Sequence, residues 1–206
     1  WDLDADGDLD LLAVNDYRFE YSWAQPVRYL ENQDGHFVDA PDAGLDLSVE
    51  GMGLAVGEIN GDGALDVVVQ AWASHLMLSD GLGGFYEAAA SRGITAGPRQ
   101  EVGWGVALAD LDNDGRLDMP VAYGLLPPDE VSMGPMPDIV IGDALNLNRI
   151  RQPNALYVQD ESGQFDEVGS DWGLDHDGVS RGLLTVDLNR DGFLDLVQRD
   201  LWGPTR

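Results

Sequence analysis

Four nine-residue stretches concentrate side-chain oxygens at a spacing that could hold a hard metal ion. The pattern is Asp, any residue, Asp or Asn, any residue, Asp, Gly, two residues and Asp, followed by an apolar run. The first copy is Asp2, Asp4, Asp6, Gly7, Asp8 and Asp10; the second is Glu58, Asn60, Asp62, Gly63, Ala64 and Asp66. The third is Asp110, Asp112, Asp114, Gly115, Arg116 and Asp118, and the fourth Asp187, Asn189, Asp191, Gly192, Phe193 and Asp195. Like charges about 4 Å apart repel by roughly 4 kcal/mol at an effective dielectric of about 20. Several carboxylates in one tight loop therefore need a cation if they are to stay ionised together. Oxygen ligands at alternating positions with Gly at position 6 are what Ca²⁺ asks of a loop, and an oxygen-only donor set argues against zinc and copper. The expected ligand set is positions 1, 3, 5 and 9 of each loop, with the position-7 residues Asp8, Ala64, Arg116 and Phe193 counted in. Up to four Ca²⁺ are expected, one per loop. The bland alternative, acidic surface turns without metal, fits one copy far better than four with one spacing.

The loops are not EF-hands. That motif needs a bidentate Glu at position 12 and a helix after it, whereas position 12 here is Ala13, Val69, Val121 and Gln198. The residues after position 9 are β-like: Leu11-Leu-Ala-Val, Val67-Val-Val, Met119-Pro-Val-Ala and Leu196-Val. The ninth-position Asp is expected to begin a strand and hold the loop onto it.

The elements around the loops recur in phase. Upstream stand Gly53-Leu-Ala-Val, Gly105-Val-Ala-Leu and Gly182-Leu-Leu-Thr. Downstream come short strands around Tyr29-Leu30, Leu76-Met-Leu78 and Leu156-Tyr157, a polar turn, then a strand opening at Phe37, Phe85 or Phe165. Units close on Gly44-Leu45, Gly93-Ile94 and Gly173-Leu174. Four short strands per unit, with Gly and Asp turns and no helical periodicity, predict an all-β chain, a β-propeller of four-stranded blades. The first loop positions fall at residues 2, 58, 110 and 187, and the wider last interval contains an insertion from about 124 to 151. The repeat units are about 1–50, 51–100, 101–179 and 180–206 of one domain spanning 1–206. About two complete blades flanked by two partial ones are expected, as a stretch of a longer protein with more blades.

Composition narrows the function classes. The chain of 206 residues has 38 Asp and Glu against 11 Lys and Arg, a formal charge of −27, and no Cys. Such a surface repels nucleic acid and anionic lipid. The apolar runs are too short to span a bilayer. Without Cys there is no disulfide framework, zinc–thiolate site or thiol nucleophile. The hydrophobic fraction of 44% is that of a folded domain.

The stretch Gly-Val-Ala-Leu-Ala-Asp110-Leu-Asp112-Asn-Asp114-Gly-Arg-Leu-Asp118 resembles the FG-GAP/VCBS repeats of integrin-α-type β-propellers. With Gly103-Trp104-Gly105 before the loop, Asn154-Ala-Leu-Tyr157 after it, and Gly-x-Phe165-x-x-Val168 and Gly173-Leu174 closing the unit, the repeat is similar to cartilage-acidic-protein-like proteins associated with ASPIC/UnbV segments. That resemblance implies a calcium-loaded, seven-bladed propeller that is extracellular, on the cell surface or periplasmic. Calcium near millimolar outside cells would fill even weak sites. Glu58, Asn60 and Asn189 depart from the all-Asp pattern, so loops one and three are expected to bind most tightly and loop two least.

The leading functional reading is a non-catalytic module that binds an extracellular protein or glycan. The alternative is a carbohydrate-active, polysaccharide-lyase-like enzyme on a calcium-bearing propeller, and a third reading is a structural spacer. His36, His75 and His176 are read as surface or packing residues, and Trp104 as packing between blades. Four aromatics, Tyr17, Phe19, Tyr21 and Trp23, alternate after the first loop's strand. They are read first as a segment folded on the blade's flank, with a stacking platform as the functional alternative. The insertion is read equally as a packing loop or a partner contact.

Overall fold

The computed structural model describes residues 1–16, 25–95, 101–125, 151–201 and 205–206. Its elements are strands and two short 3-10 turns, at Pro41–Ala43 and Ala90–Arg92, joined into antiparallel sheets. The first sheet runs β1 (Leu11–Ala13), β2 (Arg28–Gln33) and β3 (His36–Asp39) in that order. The second is a four-stranded meander, β4 (Gly53–Gly57), β5 (Asp66–Gln70), β6 (Ser74–Ser79) and β7 (Phe85–Glu87). The third repeats that order with β8 (Gly103–Val106), β9 (Met119–Tyr123), β11 (Ala155–Gln159) and β12 (Phe165–Glu167). Just before β11, β10 (Gln152–Pro153) leaves to pair with β13 (Asp177–Gly178). The fourth sheet is the pair β14 (Ser180–Val186) and β15 (Asp195–Asp200). Beyond it Thr205 bridges to Arg199, as Ser74 pairs with Gln70 at the start of β6. The all-β expectation holds.

The Val run shows why these strands form. β-Branched residues suit a pleated strand, and an uninterrupted apolar run suits one covered on both faces. Successive side chains point to opposite faces. Val67 and Val69 therefore join Leu3, Val27, Tyr29, Leu45, Met77 and Phe85 in a core between the first and second sheets. Val68 enters a different core with Leu76, Leu78, Ile94, Met119, Val121, Tyr157 and Phe165, between the second and third sheets. Leu156, on the opposite face of β11 from Tyr157, packs with Ala109, Leu111 and Leu174, and Leu196 of β15 borders that group. The closing residues Leu45, Ile94 and Leu174 thus each go to the next interface, not to their own sheet's middle.

The middle strand β9 contains Pro120, which has no N–H to give to a ladder. The adjacent β8–β9 pairing carries one extra residue on β8: Gly103 lies opposite Tyr123, but Val106 opposite Val121. Phe85 and Phe165 open β7 and β12 as predicted, while β3 opens one residue earlier than expected, at His36. The aromatics Tyr17, Phe19, Tyr21 and Trp23, and nearly all of the insertion, lie outside the described residues.

Candidate metal centres

The loops share one backbone design. Position 4 is left-handed in each, at Ala5 (φ 62°), Gly61 (78°), Asn113 (61°) and Arg190 (64°). The position-6 glycines share that conformation, with φ of 102°, 87°, 90° and 91° for Gly7, Gly63, Gly115 and Gly192. That double left-handed turn is cheap at Gly and costs about 1 kcal/mol elsewhere. It is held by side chains acting on local N–H groups. The Asp110 carboxylate accepts from Asp114 N at 3.0 Å and Gly115 N at 2.9 Å, and Asp187 accepts from Asp191 N at 3.2 Å and Gly192 N at 3.1 Å. Asp2 likewise accepts from Gly7 N at 3.1 Å. Glu58 accepts from Gly61 N at 2.5 Å and Asp62 N at 3.2 Å, and Asp187 likewise also takes its loop's fourth-position N–H, from Arg190 at 2.6 Å.

Position 9 locks the loop to the sheet. One carboxylate oxygen accepts the position-2 N–H: Leu3 to Asp10 at 2.8 Å, Ile59 to Asp66 at 2.8 Å, Leu111 to Asp118 at 2.9 Å and Leu188 to Asp195 at 2.9 Å. In the first three loops the other oxygen accepts an N–H from the neighbouring strand, from Asn32 at 2.9 Å, Ser79 at 2.9 Å and Gln159 at 3.1 Å. The expectation that the ninth Asp holds its loop onto the strand is therefore met in atomic detail. Asp10, Asp66 and Asp118 are buried. Burial pushes the Asp66 and Asp118 carboxyls up, their two N–H donors pull them down, repulsion from the same loop's acids adds to the rise, and the net direction is upward. Asp4 is also raised, by burial first, against a hydrogen bond from Asp6 N, with the charges of Asp10, Asp6 and Glu31 adding to the rise.

Among the described residues, two loops gather three carboxylates with ligand atoms within 4.8 Å of one another: Asp2, Asp4 and Asp10, and Asp110, Asp112 and Asp114. In the first group Asp2 Oδ1 is shut off from solvent and accepts no hydrogen bond. In loops two and four the third-position amide supports the fifth carboxylate: Asn60 Nδ2 donates to Asp62 Oδ2, and Asn189 Nδ2 to Asp191 Oδ2, both at 2.9 Å. Loop three has a different device, Arg116, whose Nη2 pairs with Asp114 Oδ2 and whose Nε donates to Gln159 O at 3.1 Å. Asp6 and Asp114 each also accept the position-7 N–H, from Asp8 and Arg116, at 2.9 Å.

Some residues that shape these centres carry no motif. Asn32, Ser79 and Gln159 reach the ninth-position carboxylates through main-chain N–H groups brought in by strand pairing, which no local pattern marks. Arg116 is counted in the expected ligand set by its position alone, and the contact of its guanidinium with Asp114 has no signature in that spacing.

Elsewhere, His75 Nδ1 lies 2.8 Å from Glu87 Oε2, and His36 starts the exposed β3. His176 Nε2 lies 3.2 Å from Asp200 Oδ2, at the rim of a cleft of about 610 Å³ lined by Leu156, Trp172, His176, Asp195 and Gln198. Trp104 sits beneath the Arg181 guanidinium, 3.9 Å from its ring centroid, and donates Nε1–H to Gly124 O at 2.6 Å. It is a contact between β8 and β14, in keeping with the packing reading.

Residues 2–69 match a family model described as FG-GAP-like repeat. The matched stretch runs from the first acidic loop, through the first sheet, to Val69 in the strand behind the second loop. It supports the FG-GAP repeat assignment of this segment. No curated protein matches the chain.

Proposed function

We propose that the chain is a calcium-binding β-propeller module, its four sheets successive blades, working outside the cytoplasm as a non-catalytic binder of a protein or glycan. The observation that carries the calcium reading is Asp2 Oδ1, a carboxylate oxygen withdrawn from water with no donor, beside Asp4 and Asp10. A buried anionic oxygen without a partner is costly and needs a proton or a cation. The surrounding donors are all hard oxygens on a rigid turn, which suits Ca²⁺. When bound, Ca²⁺ supplies the positive charge that lets the position-1, -3 and -5 carboxylates stay ionised together. The chain's own part is to pre-shape each loop by its two left-handed turns and to anchor it through position 9, so little ordering is left for the binding step.

The family match supports a repeat of propeller type, and the successive meanders with cores between them support blades. A binding role accords with the module type and the acidic surface, which favours partners that are neutral, basic or bridged by a cation. The test is a thermal melt in EGTA, in Mg²⁺ and across a Ca²⁺ titration, with calorimetric counting of bound ions. The expected result is a Ca²⁺-specific rise in Tm with three or four ions bound; occupancy at about 100 times Kd stabilises by roughly 2.7 kcal/mol per site. No shift, or an equal shift with Mg²⁺, would overturn the calcium reading.

A further inference from the structure

We propose that Gln159 joins the second and third acidic loops into one cation-binding unit, so that filling either loop tightens the other; this rests on the calcium reading above. Gln159 is the last residue of β11 and is 2% exposed. It is engaged at three points. Its N–H donates to Asp118 Oδ1 at 3.1 Å, and its carbonyl accepts from Arg116 Nε at 3.1 Å, both residues of loop three. Its side-chain Nε2 donates across the sheet boundary to Ile59 O at 3.0 Å. Ile59 is position 2 of loop two, and its own N–H is held by Asp66 Oδ2 at 2.8 Å. A single side chain therefore links the peptide held by one loop's ninth carboxylate to the residue that the next loop's ninth carboxylate holds.

The tie is buried, where an unmade hydrogen bond has no water to replace it. Loop two cannot shift its position-2 peptide without uncovering Gln159, and Gln159 cannot move without releasing Asp118. A cation that orders one loop removes part of the ordering cost of the other, and such coupling is reciprocal. The arrangement is particular to this pair. Asn32, at the matching place in the first sheet, turns its side chain back to Leu9 O of its own loop at 3.0 Å. Ser79, at the matching place in the second sheet, accepts from Gly81 N at 3.1 Å within its own turn. Loops three and four meet through an exposed bond, Asn113 Nδ2 to Gly192 O at 3.2 Å.

Residue-resolved NMR titration of the 206-residue chain with CaCl₂ gives each loop its own midpoint, read at the amides of Gly7, Gly63, Gly115 and Gly192. Asp62→Ala, which disables loop two, is expected to weaken the midpoint at Gly115 about five-fold or more and to leave Gly7 unmoved. In a Gln159→Met background the same Asp62→Ala change should move Gly115 by less than about two-fold. If Gln159→Met does not fold, Gln159→Asn keeps an amide but shortens its reach and should uncouple likewise. The reciprocal measurement, Asp114→Ala read at Gly63, leaves the Gln159 side chain in place and should show a similar loss. An unmoved Gly115 in Asp62→Ala, or an equal loss with and without Gln159, overturns the inference and leaves the calcium reading standing. Absence of any Ca²⁺-dependent shift at Gly63 and Gly115 in the unmodified chain overturns both.

Discussion

Gly93 presses against the main chain of Phe165: a Cβ at Gly93 would stand 2.6 Å from the Phe165 carbonyl oxygen. The residue that closes the second sheet is thus docked on the outermost strand of the third, and Ile94 enters the core beside Phe165. Gly44 makes the same approach to Phe85 one sheet earlier, where an added Cβ would run into the Phe85 carbonyl oxygen.

Gly93 has φ 83°, and Gly173, at the same place in the next unit, has φ 74° with open space around it. At both, an added methyl costs about 1 kcal/mol through the left-handed conformation, but only Gly93 also meets a backbone atom that cannot give way. Gly93→Ala is expected to lower urea-unfolding stability by about 2–4 kcal/mol and Gly173→Ala by about 1 kcal/mol. Equal costs would mean that the sheet-to-sheet contact at Phe165 is soft.

The ninth and fifth loop positions should separate cleanly in chelator. Asp118 is fully buried and both oxygens accept main-chain N–H groups, from Leu111 and Gln159. Asp118→Asn turns one acceptor into a donor facing an N–H, and should cost about 2–4 kcal/mol in Ca²⁺ and in EGTA alike. Asp114 lies in the exposed turn with Asp110 and Asp112. Asp114→Ala should lose most of its effect once EGTA is present. Urea unfolding of both variants in both buffers checks this, and an Asp118→Asn loss confined to Ca²⁺ would make the ninth position chiefly a ligand.

The spacing of the acids made the loops and the strands behind them legible, because hard-ligand geometry and period-two burial are both local patterns. Val67 to Val69 announce a strand covered on both faces, and the structure places them in two different cores. What the sequence could not display are relationships between units. The acceptor role of Asp118 depends on an N–H from the neighbouring strand, and the Gln159–Ile59 bond spans 100 residues. Gly93 reads as a unit's end, and only the packed sheets show that the reason is Phe165. The expected ranking, with loop three among the tightest, counted carboxylates without seeing Arg116 on one of them.

Asp200 sets an acid limit for the fourth sheet. It is 6% exposed, and burial alone would raise its pKa. Hydrogen bonds from Gln198 Nε2 at 2.9 Å and Ser180 Oγ at 2.8 Å, with His176 at 3.2 Å, outweigh burial and hold the carboxyl below its usual range. A carboxyl depressed on folding contributes stability that is present above its unfolded pKa of about 3.9 and is lost as pH falls through the folded value. Ser180→Ala removes one of those donors. The stability gap between the unmodified chain and this variant should be constant from about pH 5 to 7 and narrow below about pH 4. Urea titrations at stepped pH measure it, and a gap that stays constant into strong acid would mean that Ser180 acts by packing alone.

Arg116 places a built-in counter-cation on loop three. Its guanidinium pairs with Asp114 Oδ2, with the two side chains 33% and 25% exposed, so solvent screens the pair. Such pairs are worth about 0.2–1 kcal/mol. An incoming Ca²⁺ competes with that charge for the fifth-position oxygen, so removing it favours the ion by a similar amount. Arg116→Ala is expected to tighten Ca²⁺ at loop three about two- to five-fold, read at the Gly115 amide, and to leave Gly7 of loop one unchanged. The gain should shrink as salt rises, since salt weakens the pair being broken. The bond from Arg116 Nε to Gln159 O pulls the other way, because losing it loosens the shared anchor of loops two and three. Arg116→Gln keeps a side-chain donor without the charge, and separates the two effects. If Arg116→Ala weakens the site and Arg116→Gln restores it, the residue serves the loop as an anchor, and its charge is not what limits calcium there.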